Sequence, residues 1–92
     1  DYLEELEQYK NIKEIADLCD DVKKLRNYYY NGQYDKMQQH IQALMLKYPA
    51  ETFAWNSTHP VPCQTPEQSY RNAEAFLQTR YQTMLLQKGI KR

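Results

Sequence analysis

Apolar residues recur along this chain at steps of three and four in three places, and nowhere do four or more alternate as a strand requires. The first run is Ile12, Ile15, Leu18, Val22, Leu25 and Tyr29. Asn11 with Glu14 three residues later has the form of a capping box and marks a helix start there. The preceding Tyr2, Leu3, Leu6 and Tyr9 make either a separate turn or an extension of the same helix. Asn31-Gly32 ends the run, since glycine tolerates the left-handed conformation that closes a helix.

The second run is Tyr34, Met37, Ile41, Leu44, Met45 and Tyr48, and it stops at Pro49, whose ring disfavours helix in the residue before it. The link at 31–33 is short, so these two helices form an antiparallel hairpin. Gly32, Tyr34 and Lys47-Tyr48-Pro49 resemble the punctuation of half a tetratricopeptide unit, but no second copy follows at that family's 34-residue period. Residues 49–64 hold three of the four prolines and read as a loop, with room for a short helical turn after Pro49. Thr65, Pro66, Glu67 and Gln68 then supply an N-cap, a first-turn proline and an acid or amide at the positive end of a helix dipole. The third helix carries Tyr70, Ala73, Leu77, Tyr81 and Met84 on one face and ends at Gly89, with Ile90 placed to fold back after the cap. The expected fold is all-α: one domain over residues 1–92, a small antiparallel three-helix bundle made of a hairpin and a third helix after a Pro-rich loop, with the N-terminal residues as a short extra turn.

Composition makes that core look thin. Leu, Ile, Val and Phe number 17 of 92 residues, against nine tyrosines. An aliphatic share below about 20% accompanies disorder only when net charge is high, and this chain is balanced at zero. Tyrosines therefore do part of the work of leucines, and their hydroxyls demand partners or an interface.

The neutral total hides an asymmetry. Residues 1–21 carry eight acids against Lys10 and Lys13, and residues 22–92 carry ten bases against four acids. The sequence reads this as an acidic first helix lying against basic later ones. Arg80, Lys88, Lys91 and Arg92 are too dispersed for a nucleic-acid footprint, so nucleic acid is not an expected partner. No stretch approaches the ~20 apolar residues of a membrane span. The opening at Asp1, without a methionine, reads as a processed product, a fragment, or the ordered part of something longer, and the compartment stays open.

Candidate chemistry is sparse. Cys19, Cys63, His40 and His59 match no familiar zinc spacing, and Pro60 and Pro62 break the helical turn that would align His59 with Cys63. Asp17, Asp20 and Asp21 around Cys19 work against a thiolate. Gly32 and Gly89 are the only glycines, so there is no phosphate-binding loop. No catalytic residue, metal or cofactor is assigned. Cys19 and Cys63 are a candidate disulfide, closing a loop of about 45 residues worth about 3–4 kcal/mol by the chain-entropy argument. Asn56-Ser57-Thr58 in the same loop meets the N-glycosylation sequon and agrees with an exported setting.

Tyr28, Tyr29 and Tyr30 point about 100° apart on a helix and cannot all face one core. Tyr29 continues the apolar stripe, Tyr28 flanks it, and Tyr30 looks outward beside Tyr34. The candidate partner-binding residues are Tyr28, Tyr30 and Tyr34, with Phe53 and Trp55 as either plugs for the bundle end or a second contact. The expected function is a non-catalytic helical protein–protein interaction module or accessory subunit, bound to a protein partner or to copies of itself. The alternative is an exported, disulfide-stabilised binding or inhibitor protein.

Overall fold

The computed structural model describes residues 2–58 and 65–89, the side chains of Phe53 and Thr58 excepted. Five helices follow one another: α1 (Tyr2–Gln8), α2 (Lys13–Tyr30), α3 (Tyr34–Lys47), α4 (Pro49–Thr58) and α5 (Pro66–Lys88). The described residues contain no strand. The all-α bundle is thus as the periodicity predicts, and two elements are more than the turns expected of them.

The first is α1: of the two readings of the N-terminal residues, the separate element holds, and it is a helix of seven residues. Tight turns close it, with the Tyr9 amide donating to the Leu6 carbonyl and the Ile12 amide to that of Tyr9. Ile12 leaves them in extended conformation and is the N-cap residue, with no side-chain cap. The capping box expected at Asn11 and Glu14 does not form. Glu14 instead pairs with Lys88 at 3.1 Å, across the bundle on α5.

The second is α4: residues 49–58, expected as loop with room for a short helical turn after Pro49, form a ten-residue helix, while 59–64 lie outside the described residues. Tyr48 ends α3 outside the helical region (φ −122°, ψ 70°), since the following proline disfavours helix in the residue before it. The same proline then opens α4 at its first position, where its missing N–H costs nothing. The Thr52 hydroxyl donates to the Met45 and Tyr48 carbonyls across the break and fixes the corner. The sequon's Asn56 lies on α4 rather than on a loop.

Local signals at α5 hold as expected. The Thr65 hydroxyl accepts from the Gln68 amide at 3.1 Å, and Gly89 closes the helix in the left-handed region at φ 68°. Ile90, placed by the sequence after that cap, lies outside the described residues, as do Lys91 and Arg92.

Side-chain pairs give the directions. Tyr2 meets Arg26 while Glu7 meets Lys23, so α1 runs antiparallel to α2. Glu14 meets Lys88 and Arg26 meets Glu74, so α5 is also antiparallel to α2. Glu51 meets Arg80 and Trp55 meets Phe76, so α4 returns along the middle of α5. The hub is α2, whose Ile15, Leu18, Cys19, Val22 and Leu25 are buried against Leu6, Met37, Leu44, Leu77 and Tyr81. The charge asymmetry resolves within the chain in part: Glu7, Asp21 and Glu14 of the acidic segment pair with Lys23, Lys47 and Lys88.

Candidate functional site

The α2–α3 turn sets the position of the tyrosines. Gly32 takes φ 71°, and the Gln33 amide donates back to the Tyr28 carbonyl at 2.8 Å. The last turn of α2 and the first of α3 are thereby held side by side. Because α5 runs antiparallel to α2, its first turns reach the same corner and bring Tyr70 to Tyr29 and Tyr30.

Tyr29 and Tyr70 stack face to face, with centroids 4.0 Å apart and planes 3° from parallel. Tyr30 stands edge-on to both, at 5.4 Å and 66° from Tyr29 and at 5.9 Å and 65° from Tyr70. Tyr34 leans on Tyr29 at 6.0 Å and 47°. Tyr30 is 73% exposed and Tyr34 43% exposed, while the stacked pair is half-buried. Each aromatic pair adds about 0.5–1.5 kcal/mol beyond its burial, so the cluster is a built platform.

A polar cluster lies directly behind it. Glu74, one turn after Tyr70, accepts from the Tyr2 hydroxyl at 2.7 Å. It also takes Arg26 Nε on one oxygen at 2.8 Å and an Arg26 terminal nitrogen on the other at 3.1 Å. This fork ties α1, α2 and α5 together in a bidentate geometry. Burial first, and then the hydrogen bond to Glu74, pushes the Tyr2 phenol well above its ordinary range. Burial, a hydrogen bond with Tyr30 and the Glu74 charge push the Tyr70 phenol the same way.

A second polar cluster holds the far end of α3. Asp21 accepts from Lys47 at 2.9 Å and from the Tyr48 hydroxyl at 2.8 Å. His40 donates from Nε2 to the Asp21 carbonyl at 3.0 Å; a carbonyl only accepts, so the ring proton is on Nε2. Arg80 pairs with Glu51 at 2.7 Å and lies over the Tyr48 ring. These side chains pair with one another.

Of the residues singled out by sequence, Tyr30 and Tyr34 come together on the platform. Tyr28 turns into the α2–α3 seam, edge-on to His40 at 5.8 Å. Trp55 is half-buried, edge-on to Phe76 at 6.2 Å and packed against the core along the middle of α5. The Phe53 side chain lies outside what is described. Cys19 is a buried core thiol, 2% exposed, and burial pushes its pKa up. Its candidate partner Cys63 lies outside the described residues, as does His59. Among the described residues no three His, Cys, Asp or Glu side chains converge to hold a metal, and no helix is long and apolar enough to cross a membrane.

Tyr70 is the platform residue that sequence reading places only on the inner stripe of the third helix. Its second role follows once the direction of α5 against α2 is known, and no local motif carries that information. Compared with protein-family models, with curated proteins and with solved structures, the chain matches none.

Proposed function

We propose that this chain is a non-catalytic helical interaction module, an accessory subunit that docks on a protein partner through the tyrosine corner at the α2–α3 turn. One observation carries the reading: Tyr30 and Tyr34 stand exposed on a stacked Tyr29–Tyr70 base. Tyrosine offers large rigid area with a polar tip at little entropy cost, which is why interfaces are enriched in it. The thin aliphatic core supports the same view, since a partner adds apolar burial that a chain of this size supplies poorly by itself. The charged and polar clusters around the core are internally paired, which suits support of a surface rather than turnover of a substrate.

The test is site-specific photocrosslinking in the native cell. A benzophenone amino acid replaces Tyr30 in one variant and Leu86, an exposed residue of α5, in another. The reading expects one discrete adduct, to a partner or to a second copy, from position 30 and none from position 86. Equal or diffuse labelling from both positions rejects the tyrosine corner as the docking surface.

A further inference from the structure

The break between α1 and α2 has no local cause. The first glycine of the chain is Gly32 and the first proline is Pro49, so residues 9–12 contain neither. Ile12 caps α2 without a side-chain hydrogen bond, and Lys10 and Asn11 are exposed. Sharp breaks in a helix almost always trace to proline, glycine or an inserted group. Here the apolar positions run on through the break instead. Tyr2, Leu6, Tyr9, Ile12, Ile15 and Leu18 follow at steps of four, three, three, three and three, which suits one continuous helix.

What folds α1 back is its seat. A helix of seven residues is not stable alone. This one is held by Leu6, fully buried in the core, with Tyr2, Leu3 and Tyr9 packed against it. Glu7 on Lys23 at 3.1 Å and the Tyr2 hydroxyl on Glu74 at 2.7 Å tie it to α2 and α5. A second copy of the chain offers the same residues. Straightening the hinge gives the amides of residues 13–15 the carbonyls of residues 9–11 as helix partners. It also carries Tyr2 about 36 Å along the helix from Arg26 of its own chain, out of reach of its own seat. In the folded-back chain Tyr2 lies at Arg26 and Glu7 at Lys23, antiparallel. The same pairing between two straight helices sets a two-fold axis near residues 14 and 15. Both α1 helices then dock at once, in a closed and isologous dimer.

We infer that α1 is an exchangeable element: two copies of the chain straighten residues 9–12, and each seats its α1 on α2 and α5 of the other, with Glu7 on the second copy's Lys23 and Tyr2 on its Glu74. The ties of α1 are the same in both forms, so the balance is set by the hinge and by protein concentration. A short hinge invites exchange, and lengthening it opposes exchange. This role of α1 does not rest on docking at the tyrosine corner.

The experiment measures the monomer–dimer equilibrium of the full chain by sedimentation from about 5 µM to about 1 mM. Each sample is refolded from urea at its final concentration, so that slow exchange does not trap the monomer. The expected result is a dimer with a Kd on the order of 0.1 mM. Asn11→Ala favours the straight helix at both hinges and tightens the dimer about five- to tenfold. Two glycines inserted after Asn11 weaken it at least about tenfold. Exchange itself is read with a short bismaleimide on a mixture of two chains, both carrying Cys19→Ala and Cys63→Ala, one with Glu7→Cys and the other with Lys23→Cys. Position 7 joins position 23 of the other chain at about 0.5 mM and not at about 5 µM, while 7–7 and 23–23 products stay scarce. A chain carrying both new cysteines, linked internally at about 5 µM, shows that this background folds with α1 seated. If the background unfolds, the hinge variants decide by sedimentation alone. A chain monomeric up to about 1 mM, or a dimer indifferent to the hinge variants, overturns the inference. So does the absence of a 7–23 product between chains, or its appearance no more often than 7–7 and 23–23. A dimer that Tyr30→Ala abolishes overturns it as well, because the tyrosine corner then forms the contact.

Discussion

Raising the pH is expected to destabilise this protein through its buried phenols, and the size of the effect follows from the structure. Tyr2 donates to Glu74 and Tyr48 to Asp21, each at hydrogen-bond distance from a carboxylate. Burial foremost, and then those carboxylates, hold both phenols far above the ordinary value in the folded chain. In the unfolded chain they titrate near pH 10. A group whose folded pKa is raised contributes its full stability below the unfolded pKa. That contribution is lost as pH rises from there towards the folded pKa, so the loss begins near pH 10 on the alkaline side. Each phenol costs about 1.4 kcal/mol per pH unit in that window, and Tyr2 and Tyr48 together about 3 kcal/mol at about pH 11. Tyr70 acts in the same direction but is half-exposed, so solvent screening makes its share smaller. A chain of this length has a total stability on the order of 5–14 kcal/mol, which makes the loss a large fraction of the whole.

The assay is urea unfolding followed by circular dichroism between about pH 8 and about pH 11, with tyrosinate absorbance recorded in parallel. Lys23, held protonated by its pairing with Glu7, weakens stability in the same direction, so a single curve does not isolate the phenols. Tyr48→Phe does. It starts lower at about pH 8, by about 1.5–3 kcal/mol for a lost hydrogen bond to a charged acceptor. Its alkaline loss is then about 1.4 kcal/mol smaller than that of the wild type at about pH 11. Identical pH slopes in the two proteins refute the reasoning.

Glu74→Ala strands Arg26 in a half-buried site and frees Tyr2, and is expected to cost about 2–4 kcal/mol by denaturant unfolding, with earlier hydrogen exchange in α1 than in α5. Thr65→Ala removes the N-cap of α5 and is expected to cost about 1 kcal/mol, read as a fall in the urea midpoint with unchanged slope. Leu77→Ala empties a fully buried core position and is expected to cost about 2–5 kcal/mol. Tyr30→Ala, by contrast, is expected to stay within about 1 kcal/mol of wild type, its loss confined to edge contacts on the platform.

The elements most legible in the sequence are those with side-chain punctuation of their own. Thr65-Pro66 and Gly89 bracket α5 because a hydroxyl cap, a first-turn proline and a left-handed glycine each have one structural use there. Gly32 does the same for the hairpin. By contrast, α4 is legible only as a short turn after Pro49, because Pro49 serves two elements at once, ending α3 through Tyr48 and starting α4 at its own position. Pro60 and Pro62 make the whole stretch read as a loop, which hides the length of the helix that Pro49 starts. The capping box at Asn11 failed for a tertiary reason: Glu14 gains a cation on α5, and the turns at 9–12 move the cap to Ile12. In the tyrosine corner, the outward aim of Tyr30 followed from angular spacing on one helix. The stack beneath it did not, since Tyr29 and Tyr70 are 41 positions apart and meet only through the packing of α5 on α2.

The thin core and the tyrosine content are two sides of one design. A domain of this size buries only about two-thirds of its unfolded surface, and here the ends of the apolar core are finished with polar ties. Tyr2 and Tyr48 each place a ring against the core and a hydroxyl on a carboxylate that an Arg or Lys also holds. Such ties cost desolvation and return little net energy, but they accept one geometry only. The consequence bears on the corner. Glu74 fixes Arg26 on α2 and lies one turn from Tyr70 on α5, so the two helices that carry the stacked rings are held in register by the charge pair behind them. A docking surface made of rigid rings loses little entropy on binding only if its base does not move, and the Arg26–Glu74 fork is what keeps that base still.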